Sequence, residues 1–110
     1  MEKVSIRIKG KVQNIMFRQT LIRGLLKRGL EGGATNSKDD KNEVNFSVMG
    51  EKTIINELVD KLASGVELNS WGAKVETVHI LNDYIEIEAH EVTTYNVDSF
   101  NWSPDVSFYL

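Results

Sequence analysis

A chain of 110 residues, 41% apolar and 26% charged, is long enough to bury one core without a disulfide or metal, and no apolar run approaches a membrane span. Thirteen basic against sixteen acidic residues give a net charge of -3, which excludes a global positive field for gathering nucleic acid. The absence of cysteine excludes thiol nucleophiles and thiolate zinc sites, and the two histidines, His79 and His90, have no further imidazole with which to share a metal.

Lys3 to Gly10 alternates Val4, Ile6 and Ile8 with Ser5, Arg7 and Lys9, the period of a half-buried strand rather than the apolar stretch of a signal peptide; a cytoplasmic protein is expected. From about Phe17 the period becomes helical. Phe17, Leu21 and Leu25 share a stripe with Ile22 and Leu26, Lys27 and Arg28 suit the C-terminal turn, and Gly29 suits a left-handed stop. Leu30 to Ser37 reads as a short second strand. A polar turn from Lys38 to Asn42 joins it to a third, where Val44, Phe46 and Val48 alternate with Glu43, Asn45 and Ser47, and the hairpin ends at Gly50. Ile54, Ile55, Leu58, Val59 and Leu62 form a second helical stripe, capped by Thr53 and stopped by Gly65. A loop through Asn69, Ser70 and Gly72 leads to a β-branched strand over Ala73 to Leu81. Beyond an Asn82-Asp83 turn, Ile85, Ile87 and Ala89 alternate with Glu86 and Glu88 as a further strand.

The order β-α-β-β-α-β plus an extra strand predicts an α+β fold, a ferredoxin-like split βαβ sandwich whose antiparallel sheet carries both helices on one face. It occupies residues 1–91. Residues 92–110 contain no Lys or Arg, hold the only proline, Pro104, and carry Tyr95, Phe100, Trp102, Phe108 and Tyr109, five of the nine aromatics. This C-terminal extension is expected to pack on the domain or on a second copy, giving a monomer or a weak dimer, with its aromatics as the anchor.

The junction between the first strand and first helix reads Val12-Gln13-Asn14-Ile15-Met16-Phe17-Arg18. An arginine in a first helical turn opposes the positive end of the macrodipole, and no acidic residue between Val4 and Arg28 relieves it. That points to an external anion. Unpaired N–H groups at a helix start hold anions, a guanidinium adds two parallel hydrogen bonds, and Lys9 and Lys11 add positive potential. The competing interpretation is an arginine that simply faces solvent.

This junction resembles the acylphosphatase family, which has Val-Gln-Gly-Val-x-Phe-Arg there and Gly-Leu-x-Gly-Trp-Val-x-Asn from the end of the first helix into the second strand. Here the second motif reads Gly29-Leu30-Glu31-Gly32-Gly33-Ala34-Thr35-Asn36, with the family's spacing of eighteen residues from Arg18 to Asn36. The resemblance spans about residues 3 to 90. It implies hydrolysis of a small-molecule acyl phosphate to carboxylate and inorganic phosphate without metal or organic cofactor. By position Arg18 would bind the phosphoryl group, the amides of Asn14, Ile15, Met16, Phe17 and Arg18 would cradle its oxygens, and Asn36 would hold the attacking water. A loose phosphoryl-transfer transition state needs charge stabilisation and in-line water more than a strong base, which suits this residue set.

Three positions depart from the family pattern. Asn14 replaces a glycine and is the non-glycine residue that best tolerates positive φ. Gly33 replaces a tryptophan, a space the tail aromatics are expected to fill. The turn after Asn36 carries Asp39-Asp40 and is a residue longer. Asp39, Asp40 and Glu43 lack the spacing of a calcium loop and read as a solvated turn. Ser5, Ser37 and Ser47 have no nucleophile-elbow context, His79 reads as structural, His90 as a surface residue, and Phe46 and Trp71 as packing. Two further functions compete with the enzyme: a catalytically weakened module binding a protein partner through the aromatic tail, and an RNA-recognition-type domain. The latter lacks exposed aromatics beside basic residues on its central strands.

Overall fold

In the computed structural model, which describes residues 1–100 and 103–110, the first alternation becomes strand β1 (Glu2–Lys11). Helix α1 (Phe17–Lys27) follows, and Gly29 takes φ 71° beyond it, so that the Leu30 N–H returns to the Leu25 carbonyl. β2 (Glu31–Asn36) and β3 (Glu43–Gly50) form the expected hairpin. α2 (Lys52–Ala63), β4 (Lys74–Ile80) and β5 (Val92–Thr93) complete the order. The strands make one antiparallel sheet, β4-β1-β3-β2-β5, the ferredoxin-like α+β arrangement.

Register decides which residues meet the helices. Ile6, Phe46 and Ala34 lie in one row across β1, β3 and β2, and Ile8, Val44 and Asn36 in the next row on the same face. The apolar members join Leu21, Ile22 and Leu25 of α1 and Leu58 and Leu62 of α2 in a single core. Each of these side chains larger than Ala34 contributes about 1.5–3 kcal/mol by leaving water. Asn36 ends its row where the apolar side chains stop. The intervening residues, Ser5 and Ser47 with Gly33 and Thr35, face the other side of the sheet.

That second face explains the largest departure from expectation. Ile85, Ile87 and Ala89 do not form a strand; the chain crosses the open face of the sheet and turns through a 3₁₀ segment at Ile87–Ala89. Its backbone bonds to side chains rather than to a neighbouring strand: the Ile85 N–H donates to Ser5 Oγ (2.8 Å), and Ser47 Oγ donates to the Ile85 carbonyl (2.6 Å). The added strand is β5, paired with β2 through Gly33–Thr93 and Ala34–Val92.

Smaller corrections follow from the same geometry. α2 begins at Lys52 with Glu51, not Thr53, as its N-cap, because the chain enters the helix directly from the end of β3 and the Ile55 N–H bonds to the Glu51 carbonyl. The histidines exchange roles: His79 is exposed on β4, whereas His90 is buried under the crossing segment. The extension buries mainly aliphatic side chains; of the described aromatics only Phe108 is half-buried, with the Arg23 guanidinium 5.9 Å over its ring. Val92, Val97, Val106 and Leu110 are buried while Tyr95, Phe100 and Tyr109 stay 61%, 39% and 49% exposed. Tyr95 stands outward because its hydroxyl donates to Glu31 Oε1 (2.6 Å). Trp102 lies outside the described residues.

Candidate active site

Between β1 and α1 the backbone takes two left-handed steps, at Asn14 (φ 60°) and at Met16 (φ 61°), the N-cap of α1. The first was expected from the sequence; the second was not, since methionine has no preference for that region. Among the described residues, no loop or cap hydrogen bond uses the backbone N–H of Asn14, Ile15, Met16, Phe17, Arg18 or Gln19. The first helical N–H groups have no intrahelical acceptor, so the segment presents unspent donors at the positive end of the macrodipole.

Three polar side chains hold this loop in shape, and none was singled out from the sequence. Gln13 Nε2 lies within hydrogen-bond reach of the carbonyls of Ser37 (3.1 Å), Asp40 (2.9 Å) and Glu43 (2.7 Å), tying the loop to the β2–β3 turn. Asn69, fully buried, donates through Nδ2 to the Ile15 carbonyl (2.8 Å) and to Thr20 Oγ1 (2.9 Å), while its Oδ1 accepts from the N–H groups of Trp71 and Ala73. Thr20 Oγ1 donates to the Met16 carbonyl (2.7 Å). Gln13 sits inside the first motif, which was a signal; Asn69 looked like an ordinary loop residue.

The six predicted site residues, Asn14 to Arg18 and Asn36, all line one cavity of about 290 Å³, whose wall is completed by Val92 and Phe100 of the extension. Gln19, buried in α1, reaches the carbonyls of Val97 (3.1 Å) and Phe100 (3.4 Å) through Nε2 and so fixes that wall. Asn36 Oδ1 is a buried acceptor with no hydrogen-bond partner among the described residues. An orphaned acceptor costs about 1–3 kcal/mol, which a bound donor offsets.

The electrostatics differ from expectation in two respects. Arg18 does have an acidic neighbour, supplied by the last residue of the 1–91 domain: Glu91 Oε1 lies 3.5 Å from Nη1. Lys9 pairs with Asp40 (3.4 Å) and Glu43 (3.8 Å) and is not among the residues that line the cavity. The Asn42 N–H, with Lys9 adding to it, holds the Asp40 carboxyl below its ordinary value.

The space left by Gly33 is taken by His90, not by the tail aromatics: a Cβ on Gly33 would stand 2.7 Å from His90 Cβ and 3.1 Å from the Ile87 carbonyl oxygen. The ring bridges Ser47 Oγ (Nε2, 2.8 Å) and Thr35 Oγ1 (Nδ1, 2.9 Å). Because the Ser47 hydroxyl proton is directed to the Ile85 carbonyl, Nε2–H must be the donor to Ser47 and Nδ1 the acceptor from Thr35. Burial pushes the His90 pKa down, favouring that neutral ring.

A family model described as acylphosphatase matches residues 4–98. Among solved structures the chain is similar to the crystal structure of acylphosphatase from Bacillus subtilis, at 23% identity and a TM-score of 0.61, covering 74% of this chain and 83% of that one. It is also similar to the structure of an acylphosphatase from Coxiella burnetii, at 24% identity and a TM-score of 0.57, covering 82% and 88% respectively. No curated protein sequence matches.

Proposed function

Because this chain belongs to the acylphosphatase family, we propose that the cavity between the Asn14–Arg18 loop and Asn36 is where it binds and hydrolyses its substrate. The protein is an acylphosphatase, a hydrolase of small-molecule acyl phosphates. The observation that carries the site assignment is the convergence of Arg18, a run of unspent amides and an unpartnered Asn36 acceptor on one cavity.

In this reading the amides of Asn14 to Arg18 and the Arg18 guanidinium hold the phosphoryl oxygens, and Asn36 accepts a hydrogen bond from the attacking water. The water oxygen bonds to phosphorus as the bond from phosphorus to the acyl oxygen breaks. The carboxylate leaves without needing a proton, and the water's proton passes to a phosphoryl oxygen, so no side-chain base and no metal enter the step. We also assign residues 92–110 as an extension of the 1–91 domain, supported by the pairing of β5 with β2. A monomer or weak dimer through that extension, in the cytoplasm, fits the acidic, cysteine-free chain.

Hydrolysis of benzoyl phosphate in the presence of a chelator tests the assignment. Arg18→Ala should lower turnover by about 10²–10³ or more, and Arg18→Lys should recover little because a point charge does not reproduce two parallel hydrogen bonds. Asn36→Ala should lose turnover yet still bind inorganic phosphate. Near-normal turnover by folded Arg18→Ala protein would remove Arg18 from the mechanism.

A further inference from the structure

Arg18 stands in the first turn of α1, where no acidic residue of the helix accompanies it. Among the described residues its counter-ion comes from 73 residues away, through one contact of 3.5 Å between Nη1 and Glu91 Oε1. A guanidinium carries five N–H donors, and a single contact at that distance leaves most of them for another anion. Glu91's backbone is nonetheless held: its N–H donates to Thr35 Oγ1 (3.1 Å), and its carbonyl accepts from Asn96 Nδ2 (3.2 Å). The main chain is therefore anchored beside Asn36 while the side chain, 53% exposed, is free to turn into water.

We propose that Glu91 is a displaceable internal ligand of Arg18, whose carboxylate competes with the phosphoryl group and so sets the affinity of the cavity for phosphate. This rests on the reading of Arg18 as the phosphoryl-binding residue. The competition is mild, because an ion pair with both members partly in solvent is weak. A phosphoryl dianion that takes two parallel hydrogen bonds displaces it. The carboxylate thus occupies the guanidinium between turnovers and is replaced whenever substrate arrives.

The test is calorimetric titration of the full chain with inorganic phosphate at low ionic strength, with melting temperature as the check on folding. Glu91→Gln keeps the side chain's size and removes its charge; it should tighten phosphate binding about threefold, the scale of an exposed ion pair. Glu91→Asp, one methylene shorter and withdrawn from Arg18, should tighten it in the same direction. The ratio between wild type and Glu91→Gln should approach one in high salt, which screens the pair. Unchanged or weaker phosphate binding in both folded variants, with Arg18→Ala still abolishing binding, overturns this proposal alone. Phosphate binding that survives Arg18→Ala overturns the site reading and this proposal with it.

Discussion

Replacing Asn14 separates what its backbone does from what its side chain does. At φ 60° an ordinary L-residue carries a cost of about 1–2 kcal/mol, less for asparagine, whose short polar side chain tolerates the region. Asn14→Gly removes the remaining strain but adds about 0.5–1 kcal/mol of chain entropy in the unfolded state. The two oppose, and because Asn14 is exposed, little packing is lost. The expected net change is within about 1 kcal/mol, or about 4 °C in melting temperature for a chain of this length. Asn14→Ala keeps the strain without asparagine's tolerance and should melt about 4 °C lower than wild type. Since the loop's amides converge only while that left-handed step is held, kcat/KM for benzoyl phosphate should follow the order Gly at least equal to Asn, and Asn above Ala. A large fall in turnover for folded Asn14→Gly would refute this reasoning and show that the side-chain amide itself acts on the substrate.

Gly33→Ala sets a methyl group 2.7 Å from His90 Cβ, a rigid atom, and should destabilise by about 1–3 kcal/mol, lowering the melting temperature by about 4–12 °C; an unchanged melting curve would show that the crossing segment moves aside at no cost. The burial of His90 lowers its folded pKa below the unfolded value of 6.5, so the unfolded chain binds the proton more readily. Stability from this group is complete above pH 6.5 and declines as pH falls through that value towards the folded pKa. Denaturant titrations of wild type and His90→Gln from pH 7.5 to 5 should therefore show the wild-type decline reduced in the variant; parallel curves would rule His90 out as its source.

Most of the fold was legible because one side of each element is apolar and the other polar. Val4, Ile6 and Ile8 alternate against polar neighbours, as do Val44, Phe46 and Val48, and such patterns leave one burial solution. The same period misled at Ile85, Ile87 and Ala89, where alternation reflects a chain lying across a sheet face with its backbone satisfied by Ser5 and Ser47. Only Ile85 and Ile87 turn inward there, Ala89 being exposed, and alternation in any case does not report hydrogen-bond partners. At the site, Arg18 and the left-handed Asn14 were visible because helix electrostatics and backbone sterics act within a few residues. Asn69, Glu91 and His90 were not, and Gln13 only as a member of the motif, because each acts through partners dozens of positions away. Nothing local marks which distant hydroxyl or carbonyl an amide or imidazole will meet.

β5 is the return of the chain to the sheet after that crossing, and its Gly33–Thr93 pair closes a loop of about 60 residues. Its hold on the sheet is only two residue pairs of ladder. The segment therefore depends on the prior existence of β2 and α1, onto which Val92 and Val97 dock. In folding terms it is a late-joining unit and the first to detach, and hydrogen exchange should find its amides opening below the global unfolding energy. Val92 and Phe100 belong to that unit, so the cavity acquires its last wall only when the final strand is seated, and the recovery of activity on refolding should trail the recovery of secondary structure.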